Sequence, residues 1–399
     1  MRIKDNLDLT YCTNIHPGNG WDEVSRNLAV YGPALKRRLA PHTPFGLGLR
    51  LSNRESQELL AGDRLAEFAD FLGGSGLYVS LLNGYPYGAF HGAPVKAGAF
   101  RPDWRDEKRV DYTLGLLTIL ARLLPENSDG GISTLPLSYK PWVHSGDRAA
   151  MSAMVRNLVR VAAAMIRVKR ERGRRIRLEI EPEPDGVLEN STEVVAFFRD
   201  WLLPLGSPEL AAALDMSQGD ADQAILEHIG ICFDTCHCAV EYEEPETALQ
   251  ALAAAGIRVG RVQVSSALRV MLPGHDIAAQ LSPFADSTYL HQVIERRRDG
   301  SLHHYHDLDD ALKTIDGPEL REWRIHFHVP LFTAEYGSLG STQEYNARLL
   351  RHLQLNPVTE HMEIETYTWD VLPAAMKLNL EDSIEREYRW VLEHTCEKP

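Results

Sequence analysis

The segment Cys232-Phe233-Asp234-Thr235-Cys236-His237-Cys238 packs three cysteines, a histidine and an aspartate into seven residues. Thiols at this density suggest a soft-metal cluster or a redox pair. Asp234 and His237, three residues apart, suggest instead a site of mixed carboxylate and imidazole ligands. Structural zinc takes two ligand pairs, and the chain has no second pair of cysteines. The Cys232 to Cys236 spacing also departs from the Cys-x-x-Cys of thiol exchange. The cysteines therefore read as small buried hydrophobes, and the chemistry passes to Asp234 and His237.

Alternation along short strand-like segments finds more carboxylates. In Ile176-Arg177-Leu178-Glu179-Ile180-Glu181 the apolar residues share one face, and Arg177, Glu179 and Glu181 share the other. The same parity aligns Gly230, Cys232 and Asp234, then Arg261, Gln263 and Ser265, then His361, Glu363 and Glu365. Three of the four series end in a carboxylate: Glu181, Asp234 and Glu365. Carboxylates crowded into a low-dielectric space need a cation, a proton or a paired arginine. A divalent ion answers that need, and so does pairing with the inward Arg177 and Arg261. His326 and His328 sit at alternate positions of one segment, so both rings reach the same side, where imidazole suits zinc, manganese or iron. Packing is the other reading of that pair. The His303-His304-Tyr305-His306 run lies in polar text and reads as solvent-facing.

The elements that must position these residues repeat. Strand-like segments occur at 7–12, 45–52, 76–83, 131–138, 176–181, 229–234, 261–266 and 362–368, separated by helical periods such as 149–170. Eight such units predict an α/β fold, a single (β/α)8 TIM barrel over 1–399, with an inserted strand or loop near 324–332 and a C-terminal helix near 379–395. An open doubly wound sheet shares these signals, but no Gly-x-Gly-x-x-Gly follows the first strand. In a barrel the strand C-termini form the active face, so Glu181, Asp234 and Glu365 belong there. Aromatic loops carrying Tyr85, Tyr87, Phe90, Tyr139, Trp142, Tyr367 and Trp369 would ring the same mouth. With Asn83, His16 and His91, residues Tyr85, Trp142, Tyr367 and Trp369 are candidate contacts for a small molecule.

Composition narrows the partners. With 42 Lys and Arg against 56 Asp and Glu, the net charge of −14 disfavours a phosphate backbone as ligand. The basic run at 169–175 closes a helical stretch and reads as a solvated face. Five cysteines, three of them clustered, do not form a secreted disulfide framework. No apolar run approaches a membrane span and the N-terminus lacks a signal core, so a cytoplasmic location is expected.

Several motifs resemble known families. The run Ile180-Glu181-Pro182-Glu183-Pro184, the Asp234-x-x-His237 element and Glu365 are similar to motifs of the xylose isomerase-like TIM-barrel superfamily. That resemblance implies a divalent metal (Mn, Zn, Mg or Fe) held by Glu181, Asp234, Gln263 and Glu365, with Glu181 and Glu365 as the catalytic acid and base. Gln263 stands where many members have histidine, and Glu183 where xylose isomerases have lysine. His326 and His328 resemble the pair that, with the histidine matched by His237, holds a further metal in the endonuclease branch; a second ion or substrate there is the implication. More closely, the stretches 9–18, 83–92, 132–142, 326–332 and 363–369 look like the metabolite-traffic protein E family, encoded in the eustigmatophyte–bacteria operon. This implies a role in secondary-metabolite processing, with a small-molecule metabolite and other proteins of the operon as partners. Three functions remain open: a metal-dependent sugar or α-hydroxycarbonyl isomerase or epimerase, a metal-dependent phosphoester hydrolase, and a non-catalytic carrier or scaffold.

Overall fold

Strands rich in Leu, Ile and Val that are buried on both faces alternate with amphipathic helices, which is the pattern of a helix-covered parallel sheet. The computed structural model describes residues 1–4, 7–88, 96–144, 146–284, 290–367 and 379–395. Its main sheet has nine strands: β1 (Arg2–Lys4), β2 (Leu7–Tyr11), β3 (Phe45–Arg50), β4 (Leu77–Asn83), β5 (Gly130–Thr134), β6 (Ile176–Ile180), β7 (Ile229–Asp234), β8 (Val259–Val264) and, later in the chain, β15 (His361–Ile364). The order is β1-β2-β15-β8-β7-β6-β5-β4-β3. Only β1 pairs antiparallel, on β2. A parallel bridge between Cys12 and Gly48 brings the end of β2 to β3 and closes the ring. The eight parallel strands and surrounding helices make a (β/α)8 barrel, at the eight places that alternation marked.

Between β8 and β15 the chain builds a second, antiparallel sheet. Its strands are β9 (Ser266–Leu272), β10 (Val293–Arg297), β11 (Leu302–Tyr305), β12 (Arg321–Val329), β13 (Glu335–Tyr336) and β14 (Leu339–Ser341), in the order β11-β10-β12-β9-β14-β13. The 324–332 stretch thus spans most of an inner strand and the turn after it. Leu268, Val270, Trp323, Ile325 and Phe327 form a separate apolar cluster there. The period of two does the positioning on β12: Ile325, Phe327 and Val329 enter this cluster, and His326 and His328 turn the other way.

The helix Arg148–Arg172 is long and apolar enough to cross a membrane by length and composition, yet 67% of its apolar window is buried inside the fold. It ends at Gly173, whose backbone is left-handed (φ 67°). Basic residues on either side of that end are engaged: Lys169, in the last turn, with Glu227 at 2.5 Å, and Arg175, past the glycine, with Asp129 at 3.0 Å. The helix Leu380–Thr395 buries Ile384, Tyr388 and Val391. Its Glu387 accepts from Leu331 N at 3.0 Å and Thr366 Oγ1 at 2.7 Å.

Inside the barrel the middle layer is ionic. Arg261 donates through Nε to Glu179 Oε2 (2.5 Å), through Nη1 to Glu363 Oε2 (2.9 Å) and through Nη2 to Leu82 O (3.0 Å), and all three charged side chains are fully buried. Burial alone would lower the Arg261 pKa, but the two glutamates raise it overall. Glycines make room: a Cβ at Gly131 or Gly260 would lie 2.0 or 2.2 Å from Glu179 Oε1, and one at Gly48 1.5 Å from Glu363 Oε1.

Replacing Arg261 with Met strands two buried carboxylates and is expected to lower unfolding stability by about 3–5 kcal/mol. Urea denaturation measures it, and adding Glu179→Gln and Glu363→Gln should recover part of the loss. Burial also raises the Glu387 pKa from 4.5 to about 8. A carboxyl raised in the fold stabilises fully below its unfolded pKa, and that contribution is lost as pH climbs through the folded value. Stability should therefore fall from about pH 4.5 to pH 8. Glu387→Gln should flatten this slope; equal slopes in urea titrations at pH 5 and pH 8 would refute the assignment.

Candidate metal centre at the barrel mouth

Glu181 follows β6, Asp234 ends β7 and Glu365 follows β15, so all three stand at the C-terminal mouth. One ligand oxygen from each lies within 4.8 Å of the others, and all three residues are buried. None forms an ion pair with an arginine or lysine among the described residues; Arg261 is committed one layer below, and Arg177 pairs with Asp129 at 2.8 Å. Pairing with Arg261 therefore serves Glu179 and Glu363 and does not extend to these three carboxylates. Burial first, and the neighbouring carboxylates second, push the Glu181 and Glu365 carboxyls well above their ordinary range.

Asp234 also explains the spacing to His237. It caps the helix Thr235–Val240, its Oδ1 accepting from Cys236 N at 2.7 Å and His237 N at 3.1 Å, with Ser265 Oγ at 3.0 Å. The cap turns His237 back toward the mouth. The neighbouring thiols are buried, and desolvation raises their pKa values well above that of a free thiol, while Cys236 also lies with His326 and His328 in one group of possible metal ligands. Cys236 packs with Val240, Ala267 and Ile294.

His326 from the inserted sheet places its Nε2 3.1 Å from both His237 Nε2 and His328 Nε2. The other nitrogen of each ring meets a carbonyl oxygen: His237 Nδ1 with Pro182 O at 3.0 Å, His326 Nδ1 with Gln292 Oε1 at 2.8 Å, and His328 Nδ1 with Glu365 O at 3.0 Å. Gln292 is itself oriented by Nε2 donating to Pro184 O at 3.0 Å. A carbonyl at Nδ1 fixes the proton there, so each Nε2 presents a lone pair. Three converging lone pairs repel unless they share a cation or a proton. Burial, followed by the adjacent imidazoles, drives the His237 and His326 pKa values well down, which disfavours the proton. The donor set therefore fits a divalent ion, with a carbonyl at each Nδ1 already orienting the ring. Asp234 belongs with His237 and His328 to one ligand group and with Glu181 and Glu365 to another, while Glu183 joins His237 and His326.

The pocket over these groups is lined by Asn14, Asn83, Tyr85, Phe100, Glu183 and Tyr367, among others. Asn83 Nδ2 donates to both oxygens of Glu363 at 3.0 and 3.1 Å, and Asn14 Nδ2 to Glu365 Oε1 at 2.9 Å. Tyr367 stacks on His328 with centroids 4.7 Å apart. Gln263 spends both ends of its amide: Nε2 donates to Glu365 Oε2 at 2.7 Å, and Oε1 receives the Cys232 thiol. It orients Glu365, and its oxygen is not turned to the ligand group. His16 is not brought to this pocket; it bonds Tyr11 Oη at 2.9 Å, stacks on Tyr31 and lines a separate small cavity. Trp142 packs against Tyr139 under the Arg101 guanidinium, away from the ligands. His91 and Trp369 lie outside the described residues.

Glu183 is the residue that sequence reasoning undervalued, as a departure from a motif and not as a group in its own right. It is buried and accepts from Tyr85 Oη, and burial raises its pKa to about 8. The signal was its place two residues beyond Glu181, on the same side. The histidine run at and after β11 faces solvent as its polar text implies, with His303 and His306 exposed and His304 half-buried, while His306 Nδ1 lies 2.6 Å from Asp185 Oδ1 and His304 Nε2 3.5 Å from it.

No protein-family model matches the chain, and no curated protein sequence matches it. Among solved structures it is similar to an IOLI protein with a bound zinc atom, at 10% identity over 98% of each chain with a TM-score of 0.48. It is also similar to a D-allulose 3-epimerase from Methylomonas sp., at 12% identity over 66% of this chain and 74% of that one, TM-score 0.41. A third is a xylose isomerase domain protein from Alicyclobacillus acidocaldarius, at 11% identity over 97% and 96%, TM-score 0.42. At these values the likenesses carry no argument about chemistry, and the barrel is read from its own strand pairing.

If the imidazole group holds an ion, His326→Ala should lower bound zinc by about one equivalent per chain. Elemental analysis after loading and desalting reads this, and an unchanged metal content would dismiss the imidazole position.

Proposed function

We propose that the protein is a divalent-metal-dependent isomerase or epimerase acting on a small α-hydroxycarbonyl metabolite such as a sugar. The observation that supports this most is the buried convergence of Glu181, Asp234 and Glu365, none of them ion-paired to an arginine or lysine among the described residues, beside three imidazoles whose Nε2 atoms meet. Asp234, with one oxygen each from Glu181 and Glu365, is suited to hold the ion, and His237, His326 and His328 to hold a second. A bound divalent ion supplies the Lewis acidity that polarises a carbonyl and acidifies the adjacent C–H.

The chain's own groups do the rest. Glu181 and Glu365 each have a second carboxylate oxygen, a group able to take or return a proton at a substrate carbon. In this reading one takes the proton from carbon and the other returns it. The Glu183 carboxyl, hydrogen-bonded to Tyr85, stands by as a partner for a substrate hydroxyl. Gln263 and Asn14 fix the Glu365 carboxylate in place. Participation in secondary-metabolite processing alongside other proteins of the same operon is supported by motif resemblance alone.

A second reading, phosphoester hydrolysis by paired ions, is favoured by Asp234 being common to both ligand groups. Incubation with a panel of aldoses and ketoses in heavy water distinguishes the two. Proton transfer at carbon washes solvent deuterium into the substrate, and Glu181→Gln or Glu365→Gln should cut that exchange by at least about 100-fold. Phosphoester turnover with no deuterium exchange on any sugar would replace the first reading with the second.

A further inference from the structure

A cavity of about 560 Å3, larger than the mouth pocket of about 100 Å3, opens at the opposite end of the barrel, where the strands begin. Residues at that end of a (β/α)8 barrel ordinarily serve stability. Here they include three guanidiniums, Arg175, Arg177 and Arg258, against the carboxylates Asp129 and Glu360. Asp129 Oδ2 is shared by Arg175 at 3.0 Å and Arg177 at 2.8 Å, and Arg175 Nε also lies 3.2 Å from Glu227. Arg258 forms no ion pair among the described residues.

His361 supplies the second observation. It lines the cavity, is 3% exposed, and neither ring nitrogen has a hydrogen-bond partner. The Nε of Arg177, on a side chain 9% exposed, is likewise buried without an acceptor. Buried donors left unmade are unfavourable, and an acceptor placed in the cavity satisfies them together. Guanidinium planes suit the paired oxygens of a carboxylate or phosphate. The rest of the wall mixes aliphatic side chains, among them Val259, Leu350 and Leu353, with the polar Gln354, Thr359 and Thr395. A volume of this size lies within the usual range for small-molecule sites, about 300–1,000 Å3.

We propose that the foot of the barrel is a second binding site, for a small anionic metabolite with an aliphatic body. Its carboxylate or phosphate sits among Arg177, Arg258 and His361, and its chain lies along Val259, Leu350 and Leu353. The site is independent of the chemistry assigned to the mouth.

Calorimetric titration of the full chain with inorganic phosphate, octanoate and octyl phosphate tests it. One saturable site per chain is expected for octanoate, octyl phosphate or both, and which of them binds identifies the head group. Arg258→Ala, on an exposed side chain whose loss leaves the fold intact, should weaken that binding at least tenfold, and Arg177→Met should do the same. His326→Ala, at the mouth, should leave it unchanged. Absence of saturable binding by either octyl compound overturns the proposal. So does an affinity indifferent to Arg258→Ala and Arg177→Met, or one lost in His326→Ala.

Discussion

A carboxylate carried to the axis of a closed barrel leaves water on every side, and it must find positive charge or take up a proton. This constraint organises the interior. At the middle layer Arg261 meets it for Glu179 and Glu363, with Asn83 completing the shell. That guanidinium is spent there, and among the described residues no arginine or lysine forms an ion pair with Glu181, Asp234 or Glu365 in the layer above, where a cation or protons would satisfy them. The same strands thus hold a self-sufficient ionic layer and, one side chain further along, a layer that is chemically incomplete.

The inserted sheet changes what that incomplete layer can hold. Carboxylates alone favour hard ions such as magnesium, while imidazoles shift preference toward zinc, manganese or iron. His326 and His328 reach the mouth because β12 alternates, with its other face gripping the Trp323 and Phe327 cluster. The placement of the imidazoles is therefore as firm as the packing of that second core, and Gln292, just before β10, sets the tautomer of His326.

Much of this was legible in the residues. A period of two in the sequence is the same period in the barrel, so Glu181, Asp234 and Glu365 could be assigned to one face before any coordinates existed. The eight strands emerged for the same reason. What alternation cannot report is which partner an inward group takes. Arg261 and Gln263 sit two apart with the same parity, yet one neutralises a layer and the other orients Glu365. The extent of the insertion was hidden because β10 and β11, Val293–Arg297 and Leu302–Tyr305, are half-exposed hairpin strands in charged text. Nor can alternation report which way a loop turns after its strand: His16 stacks on Tyr31 beside a separate small cavity, and neither it nor Trp142 lines the mouth pocket.

The glycines of the middle layer have a wider consequence. Gly48, Gly131 and Gly260 let two carboxylates and a guanidinium close ranks across the axis, where larger residues would have pushed them apart. The result is a septum. With Glu179, Arg261 and Glu363 all fully buried, the ionic layer stands across the bore, and the cavities at its two ends share no lining residue among those described.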